Sequence, residues 1–136
     1  GVIPRSKLPV VLERINQISE ETGLRIANIF HAGDGNLHPL VLFDARIPGQ
    51  IEKALEAGSA CLKVCADVGG TITGEHGVGI EKREEMRFVF TEEEIAAQTD
   101  VREVFNPNNL LNAGKLFPSP SRCVEVKKEM KAAANS

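Results

Sequence analysis

Apolar side chains recur along this chain in two rhythms. Val11, Leu12, Ile15 and Ile18 fall at steps of three and four, the spacing of one face of an α-helix. Ser6 reads as the N-cap of that helix, Pro9 is tolerated in its first turn, and Gly23 reads as the residue that ends it. Residues 24–30, rich in Ile and Phe, and residues 37–43 are each short enough for a strand, and the loop at 32–36 between them predicts a hairpin. Pro39 predicts an edge strand or a bulge, and a period of two puts His38, Leu40 and Leu42 on one face. After a Pro48-Gly49 turn, helical spacing resumes over 50–68, where Ile51, Ala54, Leu55, Gly58, Cys61, Leu62, Cys65 and Val68 trace one apolar face.

Gly69-Gly70 stops this helix and releases a short β-favouring run, Thr71-Ile72-Thr73. Residues 81–87 read as a helical turn leading into the apolar Phe88-Val89-Phe90. Thr91 and Glu94 have capping-box spacing and predict a helix to about Phe105. Asn106-Pro-Asn-Asn109 is a turn, and 110–115 is expected to be compact and packed. Beyond Pro118 the composition turns to Ser, Pro and Lys, so 119–136 is read as a polar tail, either frayed or carrying an exposed helix at about 124–134. The order predicts an α+β fold: one domain over 1–118, with helices packed on one face of an antiparallel sheet.

Composition narrows the function classes. With 136 residues, 42% apolar and 26% charged, the chain has the balance of a globular domain. No run approaches transmembrane length and no signal-peptide pattern is visible, so a cytoplasmic placement is expected. A net charge of −3 and the absence of Trp and Tyr argue against a nucleic-acid partner. Three cysteines are too few for a four-thiolate iron–sulfur site within the chain, and Cys61 and Cys65 read as small buried hydrophobes.

All three histidines lie in two glycine-rich stretches, His31-Ala-Gly-Asp-Gly-Asn-Leu-His38 and Gly69-Gly-Thr-Ile-Thr-Gly-Glu75-His76-Gly-Val-Gly79. His31, His38 and Glu75 supply two imidazoles and a carboxylate, a ligand set that leaves a divalent metal open to water or substrate. His76 would then be free for acid–base work beside it. A plainer reading stands next to this one: His31 and His38 are hydrogen-bonded turn residues, and Glu75-His76 caps the next helix. Asp34 between its glycines reads as a turn residue; it stays open as a fourth ligand, pointing away if the turn is tight. Neither glycine stretch completes G-x-G-x-x-G or a P-loop, and no Ser or Cys sits in a nucleophile elbow. Nucleotide binding and nucleophilic hydrolysis are therefore disfavoured.

These two motifs, with Lys82, the closing Asn106-Pro-Asn-Asn-Leu-Leu-Asn112-Ala-Gly-Lys115 and the opening Pro4-Arg5-Ser6, closely resemble the FAD-linked oxidase C-terminal domain. The resemblance covers roughly residues 2–118 and lies nearest the glycolate-oxidising members, through Gly-Thr-Ile-Thr-Gly-Glu-His and the His-Pro that closes the first motif. It implies a ferredoxin-like half of that domain, and oxidation of a small 2-hydroxy acid with hydride transfer to FAD. By position, His31, His38 and Glu75 match metal ligands (zinc, manganese or iron), and His76 matches the residue that takes the hydroxyl proton and contacts substrate. Asn112 is carried as a cofactor-binding candidate. Asn36 is carried as a substrate-binding candidate, with a part in shaping the turn. Leu40 stands where members acting on a long diacid have a substrate-binding Asn, which favours a small acid such as glycolate or D-lactate. The family's long FAD-binding domain has no counterpart in these residues, so the chain is expected to be inactive and without stably bound FAD on its own. Its partners would be that domain and other oxidase subunits, an iron–sulfur protein among them, with peripheral membrane association only through such subunits. An apolar face left open would favour a homo-oligomer. The alternative is a non-catalytic metal-binding or subunit-assembly module.

Overall fold

The computed structural model describes residues 1–118, and its elements follow the two rhythms of the sequence. A 3-10 turn at Arg5–Lys7 leads into α1 (Leu8–Thr22), followed by β1 (Arg25–His31), β2 (Asn36–Leu42) and α2 (Gln50–Asp67). A second 3-10 turn at Glu84–Phe88 precedes α3 (Glu92–Phe105). The helix considered at 124–134, and Cys123, lie outside the described residues. Among the described residues no helix is long and apolar enough to cross a membrane. Of the ferredoxin-like expectation, these residues show an α–β–β–α order around a two-stranded antiparallel sheet.

Local chemistry sets the ends of the elements. Gly23 adopts φ 68° and its N–H turns back to the Glu20 carbonyl, which closes α1. The start of α1 differs from expectation: Lys7 is the N-cap and gives no side-chain cap bond, while Ser6 lies inside the preceding 3-10 turn. Pro9, within the first turn, has no N–H to leave unpaired, which eases the missing cap. At α3 the capping box forms in full: Thr91 Oγ1 accepts from Glu94 N at 3.2 Å, and Glu94 Oε2 accepts from Thr91 N at 2.8 Å.

The hairpin register pairs His31 with Asn36, Ile29 with His38 and Arg25 with Leu42, without a bulge, so Pro39 is accommodated by a two-stranded sheet in which both strands are edges. This register divides the sheet into two faces. The inner face contributes Ile26, Leu37 and Val41 to a core completed by Ile3, Val11, Ile15 and Ile18 on one side and Ala57, Cys61 and Cys65 on the other. α1 and α2 thus cover one face, each fully buried aliphatic contributing about 1.5–3 kcal/mol. The outer face carries His31, Asn36, His38, Ile29, Leu40 and Leu42, and its last three apolar residues are exposed.

The buried line of α2 is Ala54, Ala57, Cys61 and Cys65, narrower than the stripe traced in the sequence. Ile51 and Leu55 belong instead to the exposed surface, Leu55 being 70% exposed. Burial keeps the two thiols protonated, pushing Cys61 up to about 11 and raising Cys65 as well. A second cluster, Ile72, Met86 and Ile95 with Phe88 and Phe90 around it, forms beyond α2. The short β run expected at 71–73 is a single bridge from Thr71 to Val2. The segment 110–115 is also less packed than expected, with Leu110 80% and Leu111 62% exposed.

Two glycines of the hairpin loop test how tightly its tip is held. At Gly35, φ is +69° and a Cβ would come within 2.1 Å of the Ile3 carbonyl oxygen, whereas a Cβ at Gly33 meets nothing. Gly35→Ala should cost about 2 kcal/mol or more in urea unfolding, and Gly33→Ala should stay within about 0.5 kcal/mol; equal losses would show that the tip is not clamped. Neither Cys61 nor Cys65 should react with a thiol reagent at about pH 8 until the chain is unfolded, as read by mass spectrometry of each peptide.

Candidate metal centre

Three segments distant in sequence meet at one end of the outer sheet face. Residues 1–3 run between the hairpin tip and the stretch after α2: Ile3 N donates to the Gly35 carbonyl, Leu37 N to the Gly1 carbonyl, and Val2 exchanges both backbone bonds with Thr71 at 3.0 and 2.8 Å. The chain after Thr71 is thereby laid over Asn36 and His38. Gly74 fits there because it lacks a side chain, since a Cβ would come within 2.6 Å of Val2 Cγ2 and 2.8 Å of Asn36 Oδ1. Gly77, at φ 76°, then turns the backbone away, with its carbonyl held by Thr73 Oγ1 at 3.1 Å and Lys82 Nζ at 3.4 Å.

The result is convergence on a single atom, Glu75 Oε1. His38 Nε2 lies 3.1 Å from it, Asn36 Nδ2 donates to it at 3.2 Å, His76 Nε2 is 3.7 Å away and His31 Nε2 4.0 Å. The rings of His31 and His38 meet edge to face at 5.5 Å between centroids, and those of His38 and His76 lie 5.1 Å apart. Glu75 and His76 are adjacent in sequence yet face the same way, which an extended strand would forbid and the irregular backbone here allows. His31, Glu75 and His76 are more than half exposed in their side chains, whereas His38 is 21% exposed.

His31, His38 and Glu75 each offer a ligand atom, and these atoms lie within 4.8 Å of one another. Donors about 2.0–2.2 Å from a shared tetrahedral ion would sit roughly 3.4 Å apart, so small side-chain rotations bring the set to coordinating distance. Two imidazoles and a carboxylate suit zinc, manganese or iron. The plainer alternative, in which Glu75-His76 caps the next helix, fails because that helix is the 3-10 turn at Glu84–Phe88, whose N-cap is Arg83. Asp34 lies outside this mutually close set, and its N–H closes the turn onto the His31 carbonyl.

A cavity of about 640 Å³ opens beside the cluster, lined by His38, Leu40, Leu55, Glu75, His76 and Lys82 among others. It therefore places apolar walls, an imidazole and a lysine next to the possible ligands. Asn112 makes none of these contacts. It sits at φ 49°, its carbonyl accepts from Arg102, and its segment returns toward the site through Leu116 N on the Gly79 carbonyl and Arg83 on the Gly114 carbonyl. Two contributors escaped the sequence reading. Val2 was part of an extended lead-in, and its signal is only that it precedes a helix start by a few β-permissive residues. Leu55 was assigned to the core because its spacing fits the helix stripe.

The FAD linked oxidases, C-terminal domain, match residues 1–116. The chain is 50% identical over 125 residues to glycolate oxidase subunit GlcD of Escherichia coli, covering 92% of this chain and 25% of that protein. It is 37% identical over 122 residues to the GlcD of Bacillus subtilis, covering 90% of this chain and 26% of that protein. Against the D-lactate dehydrogenase of Archaeoglobus fulgidus the identity is 35% over 116 residues, covering 84% and 25%. The chain thus spans about a quarter of the length of these relatives. With its two histidine motifs folded onto one carboxylate oxygen, the chain belongs to the FAD-linked oxidase C-terminal domain family.

Proposed function

We propose that residues 1–118 are the substrate- and metal-binding portion of an FAD-dependent oxidoreductase that takes glycolate or D-lactate to the 2-oxo acid. The observation that carries this reading is the convergence of His31, His38 and His76 on Glu75 beside a cavity, in a chain of this family. A divalent ion held by His31, His38 and Glu75 would supply Lewis acidity toward the substrate's hydroxyl and carboxylate. FAD, carried by a domain outside these 136 residues, would supply the acceptor for the α-hydride.

The remaining steps fall to side chains of this chain. His76 takes the hydroxyl proton as the α-hydride leaves, so the 2-hydroxy acid loses one proton and one hydride and becomes the 2-oxo acid. Leu40 and Leu55 make one wall of the cavity apolar, and Leu40 stands where a polar side chain would be needed to hold the far carboxylate of a long diacid, which favours a short acid. Asn112 remains a candidate for contact with the flavin. The exposed outer-face residues Ile29, Leu40 and Leu42 lie beside the ligands, where the flavin domain would cover them. The same reading places the protein in the cytoplasm among other oxidase subunits, one of them an iron–sulfur protein, with any membrane contact made through those subunits. The open outer face is the one observation favouring a second reading, a non-catalytic metal-binding or assembly module.

Metal analysis and turnover separate these readings. The purified chain should take up about one divalent ion, and His31→Ala should lose it. In the protein assembled with its flavin domain, His76→Ala should retain metal and melting temperature while glycolate or D-lactate oxidation falls about 10²–10⁴-fold. Unchanged turnover would leave the module reading standing.

A further inference from the structure

Among the described residues Asn36 is the single buried side chain that is polar or charged, at 8% exposure. Its surroundings fix it from every side. Its backbone pairs with His31 across the hairpin and bridges to Val2 on the opposite edge. Its amide oxygen lies against Gly74, where even one added carbon would come within 2.8 Å of it. Its amide nitrogen donates to Glu75 Oε1 at 3.2 Å, the same oxygen that stands 3.1 Å from His38.

Glu75 has the opposite character. Its side chain is 54% exposed and it sits in an irregular loop between Gly74 and Gly77. A glutamate in such a place has many rotamers, and ordering it costs a large part of what a contact returns. The buried amide removes that freedom by choosing one carboxylate oxygen and turning it toward the imidazoles. We propose that Asn36 is a positioning residue for the metal site, presetting Glu75 as a ligand before any ion arrives. This rests on the reading that His31, His38 and Glu75 hold a divalent ion. Asn36 then acts on the ion through Glu75 instead of touching substrate, which accords with its burial. Partners of metal ligands commonly change metal affinity by about 10–100-fold when removed.

Zinc titration by calorimetry on the full 136-residue chain tests this, with the unaltered chain, His31→Ala, Asn36→Ala and Asn36→Leu compared. The leucine variant nearly preserves the shape of the asparagine while deleting its donor, so it serves where the alanine variant fails to fold. Saturable binding by the unaltered chain, its loss in His31→Ala and a zinc Kd raised about 10–100-fold in the Asn36 variants are expected, with a cooperative metal-free melt retained. A purely structural Asn36 would lower the metal-free melting temperature and leave the Kd within twofold, which overturns the proposal. Equal zinc binding by the unaltered chain and His31→Ala, or none by either, overturns instead the ligand set beneath it.

Discussion

The pairing of Val2 with Thr71, continued by Ile3 on Gly35 and Leu37 on Gly1, is the constraint on which the site depends. The histidine hairpin belongs to one hydrophobic cluster, built on α1, α2 and the inner sheet face, and the chain on either side of Glu75 belongs to another around Ile72, Met86 and Ile95. Nothing in the packing of either cluster alone would place Glu75 over His38. The short extended segment at 1–3 does so, because it is hydrogen-bonded on one edge to the hairpin tip and on the other to Thr71. Each such backbone bond is worth only about 0.5–1.5 kcal/mol net. They are reinforced by Ile3, which is 3% exposed and inserts into the first cluster from the same segment. A strand too short to form a sheet therefore fixes the position of a carboxylate some seventy residues later in the chain.

The close approach of three backbones sets the need for glycine more than conformational freedom does. A Cβ at Gly70 would come within 2.2 Å of the Val2 carbonyl oxygen and 2.6 Å of that of Cys65, with backbone that cannot swing aside. The clustering of glycine around the histidines was visible in the sequence, and the convergence it suggested is real. What the sequence could not distinguish is a glycine that turns the chain, such as Gly77, from one that lets another strand lie on top of it, such as Gly70 or Gly74.

The same division runs through the rest of the fold. Features governed by neighbours a few residues away were legible: the Gly23 stop, the capping box at Thr91, the hairpin from residue 25 to 42. Features decided by distant packing were not. Leu55 has the spacing of a core residue yet is 70% exposed, because the buried line of α2 runs through Ala54, Ala57, Cys61 and Cys65 and leaves Leu55 on the wall of the open cavity. Leu110 and Leu111 looked like packed positions, but the side chain of Asn106 instead engages both their N–H groups and the segment folds on itself at the surface. At the site, the histidines and Glu75 could be named from composition and motif. The burial of Asn36 could not, since a turn asparagine ordinarily bonds to its own backbone.

One oxygen of Glu75 faces four nitrogen groups, yet the side chains of His31, Glu75 and His76 remain more than half exposed. In so wet a setting the contacts of the His31 and His76 imidazoles with the carboxylate contribute little, because water screens them, and the buried Asn36 amide is left to hold the geometry. The weakness lies in the surroundings, since the geometry is already in place. The exposed part of the cluster continues into the uncovered Ile29, Leu40 and Leu42, so a body that buried this apolar surface would also exclude water from the carboxylate. Burial of that kind would strengthen the electrostatic contacts made at Glu75 and, in the proposed metal site, the hold on an ion. Linkage then requires the converse: if covering the outer face tightens metal binding, metal must tighten the covering contact by the same factor.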